Sequence, residues 1–328
     1  MKKILIAAAF FTAALGVFGN DRNSNASLSP EIATPMVGGN PVTDYYAVEK
    51  GSQISLAGYV ITSSPANVKK MVVTMTSLNG TVKTLFEVNN INAASYTPTQ
   101  SVEAVPNLAK ITITATNAKG KSASKEIPVS VDCWILKNLT LQERLPTASS
   151  NGMEQLCIFS SVHRKTLSLK EAYNVQADCD FVVITNTNPA GSTRLNSLIR
   201  NDIGGKYSHA TYRFKNWTTF NATKLGTLTA TSKPTILPTD FFLKTADDIK
   251  ALPALAEATG NPANSATSQG VLRVSDDNPT LRIVYFETIV RDGKIQRGII
   301  KLEGSKNNVY NQNAEYEVSI ILTTPYMP

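Results

Sequence analysis

The chain has 328 residues, 42% hydrophobic and 17% charged, a balance that excludes a disordered chain and a polytopic membrane protein. Lys and Arg total 32 against 25 Asp and Glu, a net charge of +7, and two histidines rule out a His-rich metal site. The length suits two domains.

Met1-Lys2-Lys3 is basic, and Ile4 to Val17 follows without a charge. That order predicts a Gram-negative Sec-type signal peptide over 1–19, cut after Gly19. Losing Lys2 and Lys3 leaves a mature charge of about +5. A lipoprotein would need a Cys where Asn20 stands, so no lipid anchor is expected there. The expected location is the periplasm, the cell surface or the medium, with no transmembrane segment in the mature chain. Residues 20–41 are polar, with Pro and Gly and no periodicity, and read as a flexible leader. Of the three cysteines, Cys133, Cys157 and Cys179, the last two permit a bridge between neighbouring strands. The reading preferred is three small buried hydrophobes.

From Val42 to Val131 short β-runs alternate with turn residues. Gln53 to Val60 alternates in polarity, and Asn79-Gly80 joins the runs Lys70–Leu78 and Thr81–Val88. Asn-Gly between two such runs predicts a tight hairpin with positive φ at both turn positions. Ile111, Ile113 and Ala115 are expected to face a core, with Thr112, Thr114 and Thr116 facing water. Asn117-Ala118-Lys119-Gly120 then turns into a strand over Lys121–Val131. About seven short strands in about ninety residues predict a sandwich.

Gly51-Ser52-Gln53-Ile54 and the run ITITATNAKGKSASKEIPVSV at 111–131 resemble the opening and the last hairpin of an immunoglobulin-like module of the polycystic-kidney-disease type. The resemblance implies a spacer or adhesion platform at 42–131 and brings no functional residue with it.

A second block, 132–328, is expected to be a larger β-sandwich with one short helix, making the chain all-β. Leu156–Ser161, Phe181–Thr185, Tyr207–Phe214 and Leu281–Val290 read as strands, Arg291-Asp292-Gly293-Lys294 as a turn into Lys294–Leu302, and Ala314–Thr323 as a last strand. The helix starts at Thr245, which caps it. Asp247 and Asp248 suit its positive end, and Ile249, Leu252 and Leu255 recur on one side. Pro253 should break it, and 259–270 should form a loop.

The stretch CIFSSVHRKTLSLKEAYNVQADCDFVVI at 157–184, with YFETIVRDGKIQRGIIKLEG and EYEVSIIL near the end, resembles secreted β-sandwich domains of gut and oral Gram-negative bacteria, among them the HmuY-like haemophores. In that family two histidines ligate haem iron from opposite faces. The resemblance would force His163 and His209 into those roles.

Neither histidine lies in a G-x-S-x-G elbow or beside a protease cysteine signature, so no catalytic residue and no enzyme activity is assigned. Asp178 and Asp180 would share one strand face, but a lone Asp-x-Asp lacks the further oxygens that calcium wants. They read as turn-closing and strand-flanking residues. No metal and no cofactor is assigned.

The most distinctive run is 206–220. Aromatics are 7% of the chain, yet Tyr207, Tyr212, Phe214, Trp217 and Phe220 cluster there. As a strand it would place Tyr212 and Phe214 on one face and Arg213 and Lys215 on the other. The bland reading is a core strand with a solvated basic face. The functional one is a ligand-binding surface made of Tyr212, Arg213, Phe214, Asn216 and Trp217, with aromatic faces for sugar rings and polar groups for hydroxyls. Export and the mild charge argue against nucleic acid. The expectation is an exported, non-catalytic binding protein for glycan or another nutrient. The alternatives are a structural or adhesive subunit with a protein partner, a haem binder, or a hydrolase with an unrecognised carboxylate pair.

Overall fold

The structure is a computed structural model that describes residues 28–37, 39–42, 44–144, 154–185, 192–198, 211–212, 214–221, 223–227, 236–255, 269–273, 283–306 and 313–327. The predicted signal peptide, His209 and Arg213 lie outside the described residues. Among the described residues the chain is mostly β-strand, in the all-β class expected.

Residues 31–131 build one five-stranded sheet and three smaller ones. The larger runs Tyr45–Val48, Ser122–Val131, Leu108–Asn117, Val68–Ser77 and Val82–Ala93, with only the first pair parallel. Alternation works as predicted: Ile111, Ile113 and Ala115 are wholly buried. Thr114 and Thr116 on the other face bond across the ladder to Ser124 and Ser122, at 2.8 and 2.7 Å.

Both predicted turns of this block exist, and the Asn79-Gly80 backbone differs from the one expected. Only Gly80 and Gly120 have positive φ, at 84° and 77°. Ser77 and Asn117 each donate across the turn to the residue four positions on, Thr81 and Lys121. The loops are therefore three residues long with one left-handed glycine. Asn79 caps instead, its side-chain oxygen accepting from the Thr81 N–H at 3.0 Å. At the third turn Asp292 and Gly293 are both left-handed, at 68° and 70°.

Residues 133–323 form two further five-stranded sheets, antiparallel throughout. One orders Cys133–Arg144, Asn313–Thr323, Ile295–Lys306, Ile283–Ile289 and Lys224–Thr227. The other orders Lys165–Ser168, Leu156–Ser160, Phe181–Thr185, Ser192–Ser197 and Gln269–Arg273. Their facing sides share one core, where Phe159 and Phe181 stack at 5.1 Å between ring centroids and Phe286 meets both edge-on.

The first of these sheets is buried on its outer side too. Ile283, Ile299 and Ile321 pack there under Phe241, Ile249 and Leu252. Covering on both faces is why its strands read as continuous apolar runs rather than alternating ones. Helix α2 (Ala246–Lys250) is the predicted one. Thr245 caps it and Asp248 closes a capping box, and Ile249, Leu252 and Leu255 are buried. It ends before Pro253, as expected. A second short helix, α1 (Leu169–Tyr173), goes beyond the single helix expected. Its Ser168-x-x-Glu171 capping box is the sequence signal for it.

Asp132 alone separates the strands Ser122–Val131 and Cys133–Arg144. It is left-handed, with φ 53°. Its carboxylate accepts from the Lys50 N–H at 3.1 Å, its N–H donates to the Val48 carbonyl, and its carbonyl accepts from the Thr324 N–H.

Candidate functional site

The run 211–220 is not a strand. Thr211 and Tyr212 lie in a turn and Phe214–Asn216 forms one 3-10 turn, so the two-faced alternation does not arise. Trp217 is 5% exposed and Phe214 4%. The Trp217 indole N–H donates to the Tyr212 carbonyl at 3.1 Å, and its ring stacks on Phe220 at 5.9 Å and tilts against Phe214 at 4.9 Å. Asn216 donates to the Thr211 carbonyl at 2.9 Å, and Tyr212 packs edge-on against Tyr173. Tyr212, Phe214 and Asn216 thus gather around a buried indole. The flat Trp217 face that a sugar would need is taken up by protein.

The structure instead places a groove of about 490 Å³ at one end of the second sandwich, where turns of both sheets converge. The tight turn Ser161–Arg164 forms one wall. Arg164 is left-handed there, with φ 54°, and its guanidinium lies over the Trp134 ring, 5.0 Å from the centroid. The hairpin tip bearing Asp292 and Lys294 forms the opposite wall, and Asp178, Gln296 and Pro325 complete the lining.

Hydrogen bonds hold the first wall in place. The Ser160 hydroxyl donates to the Asp178 carbonyl at 2.6 Å and accepts from the His163 N–H at 3.2 Å. His163 Nε2 stands 3.2 Å from Asp178 Oδ2. Gln296 is fixed by its bond to the Thr323 carbonyl at 2.8 Å. The lining therefore combines two cations, Arg164 and Lys294, with two carboxylates, Asp178 and Asp292, and with the apolar Val162, Val290 and Pro325.

Asp178 and Asp180 part company. Asp178 turns to the groove, while Asp180 is wholly buried between the sheets. Among the described residues no group of three His, Cys, Asp or Glu is placed to hold a metal ion. Of the two haem-ligand candidates, His163 lines the groove and His209 lies outside the described residues.

Ser161, His163 and Asp178 are neighbours of the kinds a hydrolase uses, but they are not wired as one. The Ser161 Oγ is buried, and the hydroxyl bonded to this turn is that of Ser160, spent on backbone groups. A nucleophile needs a base within hydrogen-bond reach, and His163 Nε2 is taken by Asp178.

The cysteines are three buried thiols outside any disulfide, with no Cys157–Cys179 bridge. Burial pushes the Cys133 thiol up to about 12, and the Cys179 thiol upward as well.

Sequence reasoning singled out His163 and Asp178 but missed Trp134, Arg164, Asp292 and Lys294 as one site. They come from separate stretches of chain, and only the Asp292-Gly293 turn carried a local signal. Comparison with known protein families and with curated proteins finds no match.

Proposed function

We propose that the chain is an exported, non-catalytic binding protein that takes a hydroxyl-rich ligand, a saccharide, in the groove between the Ser161–Arg164 turn and the hairpin tip at Asp292. The observation that carries this reading is the lining itself. It balances Arg164 and Lys294 as donors with Asp178 and Asp292 as acceptors beside a Trp134–Arg164 stack. Hydroxyls donate and accept at once, so a lining that offers both donors and acceptors suits them. The apolar wall suits the C–H faces of a sugar. Among the described residues the His163 ring is bonded to Asp178 rather than to a hydroxyl, which favours capture over turnover.

Titration calorimetry with soluble glycans, chosen from an array screen, tests the reading. Asp292→Ala and Lys294→Ala change exposed residues, so they leave the core untouched. Each is expected to weaken binding about tenfold, roughly 1.4 kcal/mol. Glycan affinity unchanged in both variants, or no glycan bound by the wild type, would defeat the proposal.

The adhesive reading has a narrower basis. Val82–Ala93 is an outermost strand of its sheet, and such an edge can pair with another chain. Left-handed Asn90 and Asn92 interrupt it, and Lys70 ties down Glu87 at 2.7 Å. Both are devices that blunt edge pairing, so the groove is preferred.

A further inference from the structure

We propose that Asp180, Asn221 and Thr288 form an autocatalytic cross-linking site, at which the Thr288 hydroxyl displaces ammonia from the Asn221 side-chain amide to make an intramolecular ester. The starting point is a carboxylate where none is expected. Asp180 is wholly buried between the sheets, and its partners are the Ser161 N–H, the Asn221 amide and the Thr223 and Thr288 hydroxyls, all uncharged. A buried carboxylate is costly without a cation, and neither the fold nor the groove makes further use of it.

The geometry around it is that of a proton relay. Asp180 Oδ1 accepts from Thr288 Oγ1 at 2.7 Å and from Asn221 Nδ2 at 3.0 Å. Asn221 Nδ2 also donates to Thr288 Oγ1 at 2.7 Å, so the attacking oxygen and the leaving nitrogen are already in contact. An amide acylates poorly because its nitrogen must be protonated as it leaves. Here one carboxylate oxygen touches both the attacking oxygen and the leaving nitrogen.

The step balances. Asp180 takes the Thr288 proton as the new C–O bond forms, then passes it to Nδ2 as the C–N bond breaks. Asn221 and Thr288 become an ester, one ammonia departs, and Asp180 ends as it began. Burial pushes the Asp180 carboxyl upward, against hydrogen bonds from Thr288, Ser161 and Thr223 that favour the carboxylate. The Thr223 hydroxyl, 3.0 Å from Thr288 Oγ1, steadies the nucleophile. Thr223 and Thr288 are wholly buried and Asn221 nearly so, so water that would hydrolyse the ester is kept out. Ammonia that escapes is protonated in solvent, which draws the exchange forward.

The link would fasten the segment just before Lys224–Thr227 to the neighbouring strand Ile283–Ile289. It would lock down the aromatic cluster at 214–220 in a chain whose described cysteines form no disulfide.

Intact-mass measurement on the purified full chain decides the question. The expected result is a protein lighter than its sequence by one ammonia. Digestion should release a joined peptide containing Asn221 and Thr288, severed by hydroxylamine. Thr288→Ser should keep the loss, and Thr288→Val should restore the full mass. A folded wild type at full mass after prolonged incubation overturns the proposal. So does an ammonia loss that persists in Thr288→Val, which would locate it at another amide. Should Thr288→Val fail to fold, the wild-type mass and the presence or absence of the joined peptide decide between the same two outcomes.

Discussion

Trp217 shows how much one side chain's surroundings decide. A tryptophan among basic residues can serve as a stacking platform or as a core residue, and the difference is which atoms touch its faces. Here Phe214 and Phe220 take the ring and the Tyr212 carbonyl takes its N–H. Trp217→Ala is therefore expected to cost about 3–5 kcal/mol of stability, read as a lowered urea midpoint. A folded Trp217→Ala protein of unchanged midpoint would put the indole back on the surface. Asp180 carries the same lesson for charge. Next to Cys179 in sequence it reads as a strand-flanking acid, and its neighbours in space, Asn221, Thr223 and Thr288, come from far along the chain. No local pattern announces such a cluster, because side chains 41 and 108 residues away supply it.

Among elements, the sheet containing Ile295–Lys306 bears the tightest constraints. Gly298 stands opposite Phe286 in register, and a Cβ at Gly298 would collide with that ring. Gly298→Ala should destabilise by roughly 1–3 kcal/mol as the ring is forced aside, measured by thermal or urea unfolding. A neutral Gly298→Ala would mean that the ring moves freely. The residue before it ties this sheet to its covering layer. Arg297 is paired with Glu287 at 2.8 Å, and its Nη1 donates to the Lys250 and Leu252 carbonyls at 2.7 Å each. It thus satisfies carbonyls that α2 leaves open at its end. Helix α2 itself was legible down to its cap, because Thr245 and the acidic first turn act within one turn of backbone. The turns at Gly80 and Gly120 were legible as turns but not as loop types. Asn79 bonds Thr81 with its side chain and so has no need of the left-handed backbone.

For the molecule as a whole, the buried apolar residues fall into one core within 54–131 and two within 133–322, the latter pair on opposite sides of a single sheet. The three thiols report on the last two: Cys157 and Cys179 lie in the core between the sheets and Cys133 in the core under α2. In the folded protein Cys133 keeps its proton up to about pH 12, whereas an unfolded thiol loses it near pH ~8.5. Between those values the unfolded chain binds fewer protons, so stability present at neutral pH falls as pH rises. Native protein at about pH 8, just below the ordinary thiol range, should resist iodoacetamide and react in full once urea unfolds it. Rapid alkylation of the native protein would show that these cores open readily.

The chain by itself determined its all-β class, its turn positions and the one capped helix it announced, because each depends on neighbours a few residues apart: alternation across a strand, a glycine that can turn left-handed, a threonine that can cap. Tertiary structure alone decided that Phe214 and Trp217 fold inward, that the closing sheet is covered on both faces, and that Trp134, Arg164, Asp178 and Asp292 line one groove. Those outcomes depend on which surfaces are left to bury once the strands have paired, and no short window of sequence contains that choice.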